Sequence, residues 1–154
     1  MWKWLDLLFP PRVDEIALRN LSIDDFLALV APKLSLETHP GTVTLLPFSD
    51  SRVRSAIHEA KYRGSERAFQ FLSLALVEYL RDVDDVGFRK PNIVVVPVPL
   101  GKERRKNRGF NQVEEITKRA AKELYMEIDA ALLERIRETD SQVLLPRQER
   151  EKNM

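Results

Sequence analysis

The 154 residues contain no cysteine, which excludes disulfides, zinc-thiolate sites and cysteine nucleophiles and makes a reducing compartment the natural one. Histidine is nearly as scarce: His39 and His58 are the only two, and they stand too far apart to replace a four-ligand metal site, so no structural metal is expected. Neither sign of charge dominates. Lys and Arg total 25 against 24 Asp and Glu, a formal net charge of +1, which excludes a uniformly basic nucleic-acid coat and an acidic tail protein. No apolar run approaches the roughly 18 to 20 residues that span a bilayer. The opening stretch, Met1 to Pro11, is apolar but short; Asp6 interrupts it, and it lacks the small-residue cleavage site of a signal peptide. It reads as a short helix docking on its own domain or on a partner, with a surface anchor through Trp2, Trp4 and Phe9 as the other reading. A cytoplasmic protein without an integral membrane segment is the expectation.

What is present is the composition of a globular protein, 44% hydrophobic and 32% charged. Ser22-Ile23-Asp24-Asp25 reads as a capped helix start, followed by Phe26, Leu27 and Val30 as an apolar face that Pro32 stops. Thr42 to Pro47 reads as a brief strand after the turn signal Pro40-Gly41. Asp50 or Ser51 can cap a second helix, in which Val53, Ala56, Ile57 and Ala60 recur at helical spacing and Gly64 provides the left-handed end. A longer helix is predicted from about Ser65 to Arg81, with Ala68, Phe71, Leu72, Ala75, Leu76, Tyr79 and Leu80 as its buried stripe.

Ile93-Val94-Val95-Val96-Pro97-Val98-Pro99 carries the architecture. Four consecutive branched apolar residues predict a strand covered on both faces, as in the parallel sheet of an α/β protein. Pro97 and Pro99 cannot donate to a ladder, so pairing ends there and a loop begins. Five of the seven residues from Lys102 to Arg108 are basic, and Asn111 then caps a helix to about Leu124, with Glu114 in the reciprocal capping position. In open α/β sheets ligands gather beyond the carboxyl ends of strands, where this loop emerges next to a helix N-terminus. Phosphate or pyrophosphate suits that combination, because the planar guanidinium fork meets two phosphate oxygens at once. On charge alone the same residues also describe a solvated surface loop.

The run VPVPLGKERRKNRGFNQ at 96–112 resembles the ComF family of competence and phosphoribosyltransferase-like proteins, whose pattern is Pro-Val-Pro-Leu, a basic stretch and Arg-Gly-Phe-Asn-Gln leading into a helix. A second block, Arg135-Ile136-Arg137-Glu138-Thr139-Asp140-Ser141-Gln142 followed by Glu149-Arg150 and Asn153, is similar to the family's Arg-x-Arg-x-Thr-x-x-Gln and Arg-x-x-Asn segments. Ile57 to Gly64 is similar to its Leu-Lys-Tyr-x-Gly turn. The three blocks cover about 50 to 154, and Leu5 to Arg12 also looks like the family's leader before its zinc module. The resemblance implies an α/β fold: an incomplete type I phosphoribosyltransferase-like open parallel sheet flanked by helices, with a small helical N-terminal segment over 1–41 in place of the zinc module and the partial transferase domain over 42–154. It implies an anion-binding loop of Gly101, Arg104, Arg105, Arg108, Gly109, Asn111 and Gln112 for pyrophosphate, and a mobile hood containing Arg135, Arg137, Thr139, Gln142 and Arg150. The implied reaction is transfer of a phosphoribosyl group from phosphoribosyl diphosphate, with Mg2+ accompanying that substrate in a complete family member.

Two family features are missing. Val13 stands after Pro10-Pro11-Arg12 where a first zinc-binding cysteine is expected. The hydrophobic strand, Asp-Asp pair and Thr-Thr-Gly turn that hold the ribose and its 5′-phosphate do not follow Asn153. Val83-Asp84-Asp85-Val86 imitates the acidic pair by letters only: it follows a helical run, precedes the buried strand and leads into Gly87-Phe88-Arg89. It reads as a polar helix-to-strand connection. The chain is therefore expected to be a truncated family member, inactive alone, with no cofactor site of its own and no catalytic residue assigned. The alternative is a non-catalytic competence or DNA-uptake accessory, binding single-stranded DNA or a helicase partner through Lys102 to Arg108. In that reading Phe110 is the base-stacking candidate, although it is expected to pack in the core.

Overall fold

The computed structural model describes residues 12–34, 41–83 and 93–137. Within them, three helices start at a side-chain cap, at Ser22, Asp50 and Asn111, and two stop at a left-handed glycine, Gly64 and Gly109. α1 (Val13–Asn20) carries Asp14 and Glu15 in its first turn and Arg19 in its last, the charge order that the helix dipole favours. α2 (Ile23–Leu27) is capped by Ser22, whose Oγ accepts from the Asp25 amide at 3.1 Å. It ends at Leu27, one turn earlier than Pro32 requires, because Leu29 and Val30 close reverse turns onto Phe26 and Leu27. Two short strands, β1 (Lys33–Leu34) and β2 (Val43–Thr44), pair antiparallel with Leu34 opposite Val43. The predicted strand over Thr42 to Pro47 is thus present in its first half only.

α3 (Ser51–Arg63) begins at Asp50, whose carboxylate accepts from the Arg52 amide at 2.8 Å, and ends at Gly64 with φ +61°. α4 (Glu66–Val83) follows almost at once. Its buried set is wider than the predicted stripe: Phe69, Ser73 and Val77 are buried along with Ala68, Phe71 and Ala75. The reason is that α4 packs against α2 and α3 and also against the helix over Gln112–Leu124, so one narrow stripe does not suffice. Phe26 and Phe71 stack at 4.9 Å between ring centroids and are both fully buried. One core cluster joins Leu18, Leu21 and Phe26 to Val53, Ala56, Ala60, Ala68, Phe69, Phe71 and Ala75. Arg67 fastens the end of α1 to it. The guanidinium donates to the carbonyls of Leu18 and Leu21 while lying 5.1 Å from the Phe71 centroid, which satisfies helix-end acceptors and keeps the cation over an aromatic face.

The second region is a βαβ unit. β3 (Val94–Val95) leads through Pro97 and Pro99 into α5 (Lys102–Arg108) and α6 (Gln112–Leu124), and β4 (Glu127–Ile128) returns parallel to β3 with Val95 opposite Ile128. The architecture is mixed α and β, with two two-stranded pairs among the described residues. Two expectations are corrected here. The basic stretch is a helix, not a loop: Lys-Glu-Arg-Arg-Lys-Asn-Arg has no β-branched residue, Gly or Pro to oppose a helix, and Gly109 ends it at φ +82°. The branched strand is not covered on both faces, since Ile93 and Val94 remain 40% and 38% exposed. No helix among the described residues is long and apolar enough to cross a membrane.

Candidate anion-binding site

The exit of β3 is tied to the start of α6 by one side chain. Asn111 is buried; its Nδ2 donates to the Val98 carbonyl at 2.9 Å, and its Oδ1 accepts from the Val113 amide at 3.1 Å. The cap thus fixes the proline-rich turn and the first turn of α6 as one piece, with α5 between them. Gly101 is buried at the N-terminal boundary of α5, and Gly109 is exposed at the other end. The basic side chains are partly engaged. Arg105 Nη2 lies 3.3 Å from Glu114 Oε2, and Arg108 donates to Gln112 Oε1. Lys102 Nζ lies 3.3 Å from Glu134 Oε1. Arg104 is half-buried, whereas Arg105 and Lys106 are exposed.

Glu114 is the acidic counterweight. Its carboxylate accepts from Lys118 Nζ at 2.6 Å, and that hydrogen bond, together with the charges of Arg105 and Lys118, holds its pKa below the ordinary glutamate value despite burial. It occupies the third helical position after the Asn111 cap, but its carboxylate turns to the cations and not to the capping role expected of it.

The Lys102–Glu134 contact brings the segment after β4 alongside the start of α5. Among the expected hood residues, Arg135 Nε donates to the Arg137 carbonyl at 3.0 Å. Thr139, Gln142 and Arg150 lie outside the described residues, as do the leader Leu5 to Pro11 and Asp84 to Val86 of the dismissed acidic pair. Phe110 is removed from any stacking role. Its ring meets Phe69 edge-on at 5.7 Å and comes within 3.3 Å of where a Cβ on Gly64 would stand.

Sequence reasoning did not foresee the surface on the other side of Arg108. The Arg108 guanidinium lies 5.8 Å from the Tyr62 centroid, Lys61 Nζ lies 4.9 Å from it, and the His58 ring is 4.8 Å away at a tilt of 56°. His58 in turn reaches Asp14, with Nδ1 at 3.0 Å from Oδ2, while Ser55 Oγ donates to Asp14 Oδ1 at 2.7 Å. Asp14, His58 and Glu59 place one possible ligand atom each within 4.8 Å of the others. Those atoms already have partners: Asp14 holds Ser55 and His58, and Glu59 receives Arg12 Nη2 on both oxygens, at 3.0 and 3.2 Å. Helical spacing of 55, 58, 59 and 62 was the available signal for a common face of α3, but nothing local announced Asp14.

Compared with protein-family models, curated proteins and solved structures, the chain matches none of them.

Proposed function

We propose that this chain carries the pyrophosphate-facing part of a phosphoribosyltransferase-type domain of the ComF kind. The observation that supports the reading is the β3–α5–α6–β4 unit: parallel strands, with a basic segment emerging beyond the carboxyl end of β3 and a buried Asn111 binding strand exit to helix start. That is the position where open α/β sheets take ligands, and the arginines suit a diphosphate. In this role Gly101 lets the turn pass close to the ligand, Arg104, Arg105 and Arg108 supply charge, and Gln112 orients Arg108. Arg105 would exchange Glu114 for the ligand, as an exposed arginine can at modest cost.

The ribose-binding acidic pair with its Thr-Thr-Gly turn is not among the 154 residues, so no step is assigned to Mg2+ or to the ribose here. The expected behaviour is accordingly partial. Calorimetry of the chain with inorganic pyrophosphate should show weak binding, reduced about tenfold in Arg104→Ala/Arg105→Ala. Phosphoribosyl diphosphate with Mg2+ should bind no more tightly than pyrophosphate alone. Micromolar affinity for phosphoribosyl diphosphate, or pyrophosphate binding indifferent to the two arginines, would overturn this reading.

A further inference from the structure

Along the outer face of α3 lies a hollow of about 300 Å³, the lower end of ligand-pocket size, lined by Asp14, Phe48, Arg54, Ile57, His58, Lys61 and Tyr62. Two of its walls carry large aromatic side chains that stay well exposed: Phe48 is 65% and Tyr62 49% exposed. Single exposed aromatics are ordinary, but two around one hollow, with cations at the rim, are a recognition surface. The loop that presents Phe48 is held by Arg54, which donates to the carbonyls of Phe48 and Ser49. The floor is held as well, because His58 and Ser55 are both locked onto Asp14. Lys61, in the lining, and Arg108, from α5, approach the same Tyr62 ring from two different helices, so two positive groups stand by one wall of the hollow. Two carboxylates stand nearby: Glu59 is paired with Arg12, and Asp14, held by Ser55 and His58, is outnumbered by Arg54, Lys61 and Arg108, which leaves the local balance positive.

We infer that this hollow binds a nucleotide unit, a flat heteroaromatic base seated against Phe48 and Tyr62 with its phosphate held by Lys61 and Arg108. Stacking supplies sequence-tolerant contact, and the two cations supply the charge for a phosphate. The unit has two possible sources, a free mononucleotide or one position of a single strand, and the chemistry recognised is the same. The two readings share Arg108 but are separable: Arg104 and Arg105 take no part in this one, while Phe48, Lys61 and Tyr62 take no part in the other.

The test is calorimetry of the full chain with adenosine monophosphate, adenosine, and a short single-stranded oligodeoxynucleotide. Adenosine monophosphate should bind about tenfold more tightly than adenosine, and Tyr62→Ala and Lys61→Ala should each weaken it about tenfold. Tyr62→Phe keeps the ring and should retain most of the affinity, and Arg104→Ala/Arg105→Ala should leave it unchanged. Thermal melts of each variant should match the parent, since both side chains are surface groups. An oligonucleotide bound far more tightly than the mononucleotide, with strong salt dependence, identifies a strand as the source; comparable affinities identify the free nucleotide. Absence of heat with both adenosine monophosphate and the oligodeoxynucleotide at about 1 mM, or binding that Tyr62→Ala and Lys61→Ala leave intact, overturns the inference.

Discussion

The helices α1 to α4 and the strand pair β3–β4 are built from similar apolar residues and end in opposite conditions. In the helical region Leu18, Phe26, Val53, Phe71 and Ala75 close around one another to near-zero exposure. In the strand pair Ile93 and Val94 stay more than a third exposed, and beyond the strands Val98, Leu132 and Leu133 are half-exposed or more. The difference lies not in hydrophobicity but in geometry. A helix offers one stripe that a second helix can cover, whereas a parallel pair has two faces and two edges, and among the described residues it is α6 that packs against the pair, at β4. Burial in the helical region therefore ought to carry most of the folding free energy, and a matched truncation in each region tests that directly. Phe71→Ala should cost about 3–5 kcal/mol, while Val94→Ala should cost roughly 0.5 kcal/mol or less, both read by urea denaturation. Equal costs would break the comparison.

The same contrast extends to charge. Glu59 is buried on α3, and its carboxylate is met on both oxygens by Arg12 from the start of α1. Lys102 and Glu134 form a pair of similar length beside the strands, but both ends are bathed in water. Arg12→Ala should cost about 1–3 kcal/mol because it strands a desolvated carboxylate, and Arg12→Ala/Glu59→Gln should recover part of that loss. Lys102→Ala should fall within about 0.5 kcal/mol of the parent. A large effect of Lys102→Ala would show that the segment after β4 contributes more to stability than its exposure suggests.

Glycine gives a third and smaller comparison, one for each region. Gly64 ends α3 and Gly109 ends α5, both in the left-handed region. A Cβ at Gly109 meets nothing within 4 Å, so Gly109→Ala should cost about 1 kcal/mol, the conformational term alone. A Cβ at Gly64 stands 3.3 Å from the Phe110 ring, which is itself set against Phe69, so Gly64→Ala should cost about 2 kcal/mol by thermal melting. Equal losses at the two sites would mean that Phe110 yields freely.

Much of this was readable from single residues and their neighbours. Ser22, Asp50 and Asn111 cap the helices that start beside them and Gly64 ends its own, each as its local chemistry dictates. α5 was misread because five cations suggested a solvated loop, although the same residues have good helix propensity and a glycine at their end. The covering of β3 was misread because a run of valines announces a wish to be buried without naming what will bury it. The surface around Tyr62 was hidden for a different reason. Its chemistry is assembled from α1, α3 and α5, and the Ser55–Asp14 bond joins residues 41 positions apart. Such pairs leave no local pattern.

The smallest expected effect separates the two regions through their caps. α3 is capped by a charged side chain and α6 by a neutral one, Asp50 and Asn111. Asp50 takes the side chain of Arg52 as well as its amide, and those hydrogen bonds lower its pKa from 3.8 to about 2. A carboxyl group depressed in the folded state adds stability above its unfolded pKa and loses it as pH falls through the folded one. The contribution of Asp50 is therefore complete above about pH 4 and gone below about pH 2. Asn111 has no such limb. Asp50→Asn keeps an amide acceptor for the cap and removes only the charge. Melting temperatures of parent and variant should accordingly differ most near neutrality, converge between pH 4 and pH 2, and coincide at the acid end. Acidification of Glu114 is common to both proteins and cancels in the difference. Parallel curves over that range would show that the Arg52 contact contributes nothing, and that the start of α3 is held by burial alone.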